Sequence, residues 1–464
     1  MRAGLVSVLR SRRGMDKVVM AALLGTVVCG IAVAVLPLQI VIGCLAVIVL
    51  VPTLVRVGLW RTLLLVSFAC SLLRSNEEFS HLATDSVWYV AQFAPIAAAV
   101  VVTALQGRSG APRLHFVVGL MSLFAGLALA SLTWSIDPQT SLSQGLVFAF
   151  VALFLCLTAT WRWSRRDVLR GDLATVFAAA CAAQLLGLLA NLTGVPWAVG
   201  ATGEFQGLLS NPNFAGMLSA VTIPLVFFLS EGLEGVRRLA LLGGTLVLAW
   251  AMILSGSRGA LLGCLVGLVA AAFSPTERRR AARIAWAGSI VALLAVILDP
   301  RLLSGVTGFF ASKTHGDFTS GRYEIYRILL SRWRSRPIFG TGFHTAEIYG
   351  IRGVLGHNIY LTVLAELGIV GASLFLTLIV AGWRSGAKSG PERPLVGPAV
   401  AVLVVELTES SLFGFGNSTA LFFWMLLFAF AASGRFERTD RGGHRVREVN
   451  VFAGKRHASG RGPP

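Results

Sequence analysis

The 464 residues are 55% hydrophobic and only 13% charged, whereas soluble domains carry about 25% charged residues. This composition excludes a water-soluble globule, and the lack of two-residue alternation excludes an outer-membrane barrel. In a soluble protein the net charge of +18 would suggest nucleic acid as a partner. Here the basic residues cluster between apolar runs, as in the cytoplasmic loops of membrane proteins. The sequence therefore predicts an all-α polytopic membrane protein that does not bind nucleic acid.

Apolar runs long enough to cross a bilayer recur along the whole chain and predict about 12–14 transmembrane helices. The candidate spans lie at about 18–36, 38–55, 60–73, 87–105, 114–133, 142–160, 172–191, 213–230, 238–254, 259–274, 284–298, 357–381, 395–412 and 418–433. The third is short enough to be a re-entrant piece. A transmembrane domain is thus predicted over 1–433, followed by a basic, disordered cytoplasmic tail over 434–464.

The distribution of basic residues predicts which loops share a side of the membrane. With the N-terminus inside, about three quarters of the 40 Lys and Arg residues fall on the cytoplasmic side, as the positive-inside rule requires. Most of the others lie in one long loop at about 300–356. This external loop is therefore the predicted working surface of the protein.

A helix is predicted over 319–336 within the external loop. Helical periodicity places Arg322 and Tyr326 on its apolar face. A guanidinium on an apolar face needs an anionic partner, and a phosphate at a helix N-terminus suits it. A pair with Asp317 or Glu324 is an equally good explanation of the pattern.

Three further polar residues stand at predicted membrane boundaries. Arg258 occupies a short external turn between two glycines, where it either reaches to the interface or contacts a ligand. His357 and Asn358 open the twelfth span. They fit an interfacial histidine with a helix cap, and His357 also fits a general base for a sugar hydroxyl.

Asn211 and Asn213 precede the eighth span, close in sequence to Trp197. The amides fit either a cap and turn or a site for sugar hydroxyls, with Trp197 as a stacking face. Three glutamates at or near membrane depth are candidate partners of the arginines: Glu366, Glu406 and Glu409.

Six short motifs follow one another in chain order: Trp134-Ser135-Ile136-Asp137-Pro138, Gly207-Leu208-Leu209-Ser210-Asn211-Pro212-Asn213, Ser257-Arg258-Gly259, Ser320-Gly321-Arg322, Pro337-Ile338-Phe339-Gly340-Thr341-Gly342, and His357-Asn358-Ile359-Tyr360-Leu361 running into Glu366-Leu367-Gly368-Ile369-Val370-Gly371. This ordered set resembles the O-antigen ligase and O-antigen polymerase superfamily of bacterial membrane glycosyltransferases. The resemblance covers residues 130–371.

The resemblance implies a C-type helical glycosyltransferase that works without a metal or cofactor. It would move a glycan from undecaprenyl diphosphate to a saccharide or lipid-linked acceptor, on the external face of a bacterial cytoplasmic (inner or plasma) membrane. By the same resemblance Arg258 and Arg322 would bind the diphosphate, and His357 would activate or orient the acceptor hydroxyl. The predicted substrate-binding residues are Asn211, Asn213, Trp197, Tyr326 and Asn358.

One departure from the family pattern stands out. Relatives often carry an arginine shortly before the Gly-x-x-x-Asn-Pro-Asn stretch, whereas this chain has Glu204-Phe205-Gln206. A basic contact with the donor is therefore in doubt there. Two other classes stay open, a lipid-linked glycan flippase or exporter and a structural membrane partner. The lack of matching sequence halves speaks against a transporter, and Arg322 would have no explanation in a structural partner.

Overall fold

The computed structural model describes most of the predicted transmembrane domain. The described residues are 58–106, 114–200, 203–272, 322–346, 356–387, 395–415 and 418–434. The predicted spans at 18–36, 38–55 and 284–298, the tail and the first part of the external loop lie outside these ranges.

The described residues are predominantly helical, with one isolated β-bridge between Val199 and Phe205. The helices are α1 (Leu59–Ser75), α2 (Glu77–Ser80), α3 (Asp85–Gln106), α4 (His115–Ala130), α5 (Pro138–Thr160), α6 (Arg166–Leu192), α7 (Pro212–Thr222), α8 (Leu225–Leu229), α9 (Gly235–Leu254), α10 (Arg258–Ala272), α11 (Arg322–Ser335), α12 (Ile359–Gly386), α13 (Val396–Val405) and α14 (Ser418–Ser433). Seven stretches are long and apolar enough to cross a membrane: α3, α4, α5, α6, α7 with α8, α9 and α12. The prediction of an all-α polytopic membrane protein is confirmed.

Most helix boundaries follow the predicted spans, with two differences. The span predicted at 395–412 is wrong at its end, because α13 stops at Val405 and the chain continues in turns. The span at 213–230 is divided near Pro224 into α7 and α8, since proline lacks the N–H that a continuous helix needs. The third predicted span, for which a re-entrant segment was the alternative, forms the continuous 17-residue helix α1.

The loops gather at two opposite ends of the helices. At one of them the Trp134 carbonyl accepts a hydrogen bond from Arg336 at 2.9 Å, and the rings of Phe79 and Trp197 lie 5.5 Å apart. We call this the motif end, which comprises residues 74–85, 131–138, 193–200, 203–211, 255–258, 336–346 and 406–415. Residues 131–133 and 406–412 were predicted as the ends of two spans, and the other segments belong to loops predicted to be external. These loops group as the alternation of spans predicts.

The segment formed by α7 and α8 is the centre of the packing. Every residue from 214 to 229 is buried, and α6, α9, α10, α13 and α14 all contact α7. Such a segment has no face for lipid, because neighbouring helices cover it on all sides. Its N-terminal end, at Asn211, is therefore held firmly at the motif end.

A stripe of glycines brings α10 and α13 into close contact. Gly259, Gly263 and Gly267 lie four residues apart, on one face of α10. A Cβ on Gly259 would lie 2.1 Å from the Thr408 hydroxyl oxygen, and one on Gly267 would lie 2.7 Å from the Gly397 carbonyl oxygen. Small residues permit this approach of two membrane helices, which places the start of α10 against the turn that follows α13.

Helix α12 is interrupted at Gly368, which has φ 64° and ψ −164°. The neighbouring loop compensates for the break, since the amide of Ile369 donates to the Pro337 carbonyl at 2.9 Å and that of Val370 to the Ile338 carbonyl at 3.2 Å. A Cβ on Gly368 would lie 2.2 Å from the Ile338 oxygen. Glycine is required at this point, because the backbone conformation and the close contact both exclude a side chain.

The first motif, which begins at Trp134, contacts the same segment that follows α11. The indole of Trp134 donates to the Phe339 carbonyl at 3.0 Å, and the amide of Ile136 donates to the Thr341 carbonyl at 2.9 Å. Three of the six motifs therefore contact one another, although the first lies about 200 residues before the other two in sequence. These contacts fix residues 337–342 at the motif end.

Candidate active site

Glu409 joins the predicted base to one of the predicted phosphate-binding arginines. Its Oε1 accepts a hydrogen bond from Arg322 Nη2 at 2.6 Å, and its Oε2 lies 2.8 Å from His357 Nδ1. The Glu409 side chain is only 7% exposed, so both contacts are made in partly desolvated surroundings. A buried carboxylate needs such partners, because an isolated charge is costly away from water.

The turn after α13 holds Glu409 in place. The Ile359 amide, at the start of α12, donates to the carbonyls of Glu406 and Glu409, at 3.0 Å to each. The Glu406 carboxylate accepts from the amides of Ser411 and Leu412 at 3.1 and 3.3 Å, and from the Ser411 hydroxyl. These bonds tie the turn to itself and to α12.

His357 has a backbone conformation that is uncommon for a residue with a side chain, with φ 46°. Its carbonyl accepts from the Tyr326 hydroxyl at 2.9 Å. Asn358, the next residue, caps α12 by accepting from the Leu361 amide at 3.0 Å and donates to the Leu407 carbonyl at 2.9 Å. The hydrogen bond to the His357 carbonyl and those of Asn358 therefore hold the backbone of the histidine in place.

The contact with Glu409 determines the proton arrangement on His357. An ionised carboxylate can only accept, so Nδ1 carries the proton when the imidazole is neutral. The lone pair then lies on Nε2, on the opposite edge of the ring. This is the tautomer that a histidine general base requires.

Tyr326 lies on α11 between the other groups of the site. Burial raises the pKa of its phenol, and the nearby Arg322 guanidinium offsets this only in part. The phenol therefore stays protonated at neutral pH and keeps its hydroxyl as a donor to the His357 carbonyl. The predicted helix of the external loop is confirmed as α11, within a few residues of its predicted ends.

Arg258 begins α10, and the glycine stripe directs this helix end to the site. Gly259 contacts Thr408, which immediately precedes Glu409. From the other side, a Cβ on Gly216 of α7 would lie 2.6 Å from the Ser255 hydroxyl oxygen. The turn that carries Arg258 is thus packed between the start of α7 and the turn of Glu409.

The predicted sugar-binding amides have structural partners. The side chain of Asn211 caps α7 by accepting from the Asn213 amide at 2.7 Å, and Asn358 caps α12. The ring of Trp197 packs edge-on against Phe79 and is half-buried. The capping interpretation is confirmed for both asparagine caps, while substrate binding by these residues and by Asn213 stays a prediction.

Of the three candidate glutamates, Glu409 is the partner of Arg322, Glu406 accepts from amides of its own turn, and Glu366 accepts from the Ala346 amide at 3.0 Å. The alternative partner Glu324 instead pairs with Arg327 at 2.8 Å on the surface of α11, and Asp317 lies outside the described residues. The contact between Glu409 and His357 was not predicted. A glutamate at a membrane boundary was the available signal, but sequence alone does not say which residue it meets.

Together these features define a polytopic α-helical membrane protein with a His–Glu–Arg site at one end. Residues 243–376 match the family model described as O-antigen ligase, which confirms the resemblance predicted from the ordered motifs. The matched range contains Arg258, Arg322 and His357 and ends before Glu409. No curated protein sequence matches the chain. The match points to glycan transfer of the O-antigen ligase or polymerase kind.

Proposed function

We propose that the protein transfers a glycan from undecaprenyl diphosphate to a saccharide or lipid-linked acceptor. The reaction takes place on the external face of the bacterial cytoplasmic membrane and needs no metal or cofactor. The observation that carries this proposal is the arrangement of His357, Glu409 and Arg322, which combines a base, its orienting carboxylate and a cation. The family match of the segment that contains two of them supports the same chemistry.

In the proposed reaction, an acceptor hydroxyl oxygen forms a bond to the anomeric carbon of the donor sugar. The bond between that carbon and the diphosphate oxygen breaks, and undecaprenyl diphosphate leaves. Nε2 of His357 takes the hydroxyl proton. Glu409 holds Nδ1–H and stabilises the imidazolium that forms, so the positive charge on the ring has a partner at 2.8 Å.

The arginines act on the leaving group. A guanidinium has five N–H donors, and the contact of Arg322 with Glu409 uses one of its nitrogens. Its other edge remains for the diphosphate, together with Arg258. Preorganised cations in a partly desolvated site stabilise the charge that develops on the departing oxygen.

Arg258→Lys and Arg322→Lys are each expected to lower turnover by about 10- to 100-fold, the loss of one charged hydrogen bond. Lysine keeps the charge but not the forked geometry. The measurement is release of undecaprenyl diphosphate by purified protein in detergent with EDTA. Arg327→Lys is the matched control, because Arg327 is exposed and pairs only with Glu324 among the described residues.

Normal rates in both variants at normal protein levels would remove the arginines from the donor site. Wild-type activity that is lost in EDTA and restored by Mg²⁺ would contradict the metal-independent mechanism.

The motif end is expected to face outside. Ser331 is exposed on α11, and Ser164 is exposed at the opposite end. In a cysteine-free background, Ser331→Cys should react with a membrane-impermeant maleimide in intact spheroplasts, and Ser164→Cys should react only after lysis. The reverse pattern would place the site on the cytoplasmic side and overturn the proposed donor.

A further inference from the structure

Arg74 lies at the motif end, apart from the proposed donor contacts. Arg74 occupies the last turn of α1, and its side chain is 13% exposed. Its guanidinium carbon lies 3.6 Å from the centre of the Tyr89 ring. Its Nη1 is 3.5 Å from Gln92 Oε1, so the group is held over an aromatic ring with one weak hydrogen bond.

The charge of Arg74 is poorly compensated within the described residues. Among the carboxylates whose side chains the structure describes, that of Asp85 lies at 4.0 Å and is 89% exposed. An exposed pair at this distance contributes little. A guanidinium that is largely removed from water normally has a close anion and several hydrogen bonds. Most of the N–H groups of Arg74 have no acceptor among the side chains that the structure describes.

A role at the end of α1 does not explain this arginine. Arginines near a helix C-terminus often donate to the last carbonyls. Here the Leu72 carbonyl accepts from the Ser75 hydroxyl at 3.0 Å and from the Asn76 amide at 3.3 Å. Arg74 donates to none of the described main-chain carbonyls, so its position is not that of a helix cap.

Neighbours of Arg74 contact two segments of the motif end that carry predicted site residues. Gln92, its hydrogen-bond partner, donates to the Phe415 carbonyl at 2.9 Å, on the segment that also carries Glu409. Phe79, in the short helix α2 that follows Arg74, packs on Trp197. Arg74 also stands at the predicted external boundary of its span, which is the depth of lipid phosphates.

We propose that Arg74, held in place by Tyr89 and Gln92, binds a phosphate group of the second lipid substrate, the acceptor. The inference rests on the proposed function, in which Arg258 and Arg322 bind the donor. The guanidinium carbon lies 3.6 Å from the centre of the Tyr89 ring, and a guanidinium over an aromatic ring keeps N–H groups that can bind two oxygens of one phosphate. The acceptor is thus a phosphate-bearing lipid-linked glycan, anchored in the same leaflet as the donor.

The test counts lipid molecules bound to the purified full chain by native mass spectrometry, with undecaprenyl diphosphate as the probe. The wild type should bind two molecules. Arg74→Gln should weaken the second binding event by about tenfold or more and leave the first unchanged. Arg327→Gln, which removes one exposed charge at the same end, should change neither. Arg74→Lys should weaken the second binding event to an intermediate extent. It replaces Arg74→Gln in the test if that variant does not elute as a folded monodisperse species.

Three results would overturn the inference: a single bound molecule in the wild type, a second event unchanged in both Arg74 variants, or an equal loss in Arg327→Gln. A competition arm with phosphatidylglycerol separates the two lipid sources. If phosphatidylglycerol displaces the second molecule as well as undecaprenyl diphosphate does, the site holds bulk phospholipid and not an acceptor. If an Arg74 variant loses only the first binding event, the result would instead count against the proposed donor site.

Discussion

His357→Ala is expected to slow glycan transfer by about 10² to 10⁴ times, the usual effect of losing a general base. Donor binding should persist, because the arginines proposed to hold the diphosphate remain. The structural reason is the fixed tautomer, since Nδ1 of His357 faces Glu409 at 2.8 Å and only Nε2 remains for the acceptor hydroxyl. The assay is undecaprenyl diphosphate release from a lipid-linked donor with candidate acceptors, in detergent.

The same variant separates an enzyme from a flippase. A flippase altered at His357 would leave precursor on the cytoplasmic leaflet, whereas a transferase would accumulate it on the external leaflet. A fully active His357→Ala protein would leave the enzyme in place but without its proposed base. No wild-type turnover with any plausible acceptor would count against the enzyme itself.

Glu409→Gln adds a check on positioning that uses the same assay. Glutamine can accept from His357 or Arg322 but lacks the negative charge that stabilises an imidazolium. Its effect should therefore be smaller than that of His357→Ala and should be largely absent in the His357→Ala background, because the two residues act as a unit. Independent, multiplying losses would show that Glu409 does not act through the histidine.

Local features of the candidate site could be predicted from sequence. Periodicity and the following proline located α11, and the side-chain chemistry of Asn211 and Asn358 located two helix caps. The need of Arg322 for an anion followed from its place on an apolar face. Each of these depends on neighbours within one or two helical turns.

Long-range features could not be predicted in the same way. Glu409 meets His357 because α13 ends at Val405. The polar stretch Glu406-Leu407-Thr408-Glu409-Ser410-Ser411 signals an end to the apolar run, but it does not say which helix the following turn will contact. Gly368 is required because the loop at Ile338 approaches it, a contact set by tertiary packing. Hydrophobicity reports burial in the membrane but does not encode which helix lies beside which.

A buried charge cluster at the end opposite the site was also missed. Asp172 is fully buried on α6 and accepts from Arg61 Nε at 2.7 Å and from Arg162 Nε and Nη2 at 2.7 and 2.8 Å. The Trp163 indole adds a bond at 3.0 Å, and the Arg162 guanidinium stacks 4.1 Å from the Trp60 ring centre. Charged residues at the ends of predicted spans were the available signal. The cluster joins α1, the turn before α6 and α6 itself.

Asp172→Ala is expected to lower the free energy of unfolding in detergent by about 3 to 5 kcal/mol, the cost of leaving buried charges without their partner. Thermal unfolding of the purified protein measures it. The matched control is Asp167→Ala on the same helix, whose carboxylate is 65% exposed and pairs with the exposed Arg165. That change should have little effect, since exposed pairs contribute little.

Arg61→Met should cost less than Asp172→Ala, although it breaks the same contact. Removing the carboxylate leaves two guanidiniums, 25% and 15% exposed, facing each other without an anion. Removing Arg61 leaves Asp172 with Arg162 and Trp163, a neutral and hydrogen-bonded set, and methionine fills part of the vacated volume. Comparing the two losses in free energy of unfolding therefore shows whether the cost comes mainly from uncompensated charge or from the lost contact. If Arg61→Met destabilises the protein as much as Asp172→Ala, the cluster stabilises the fold by packing, and the electrostatic account of Asp172 is wrong.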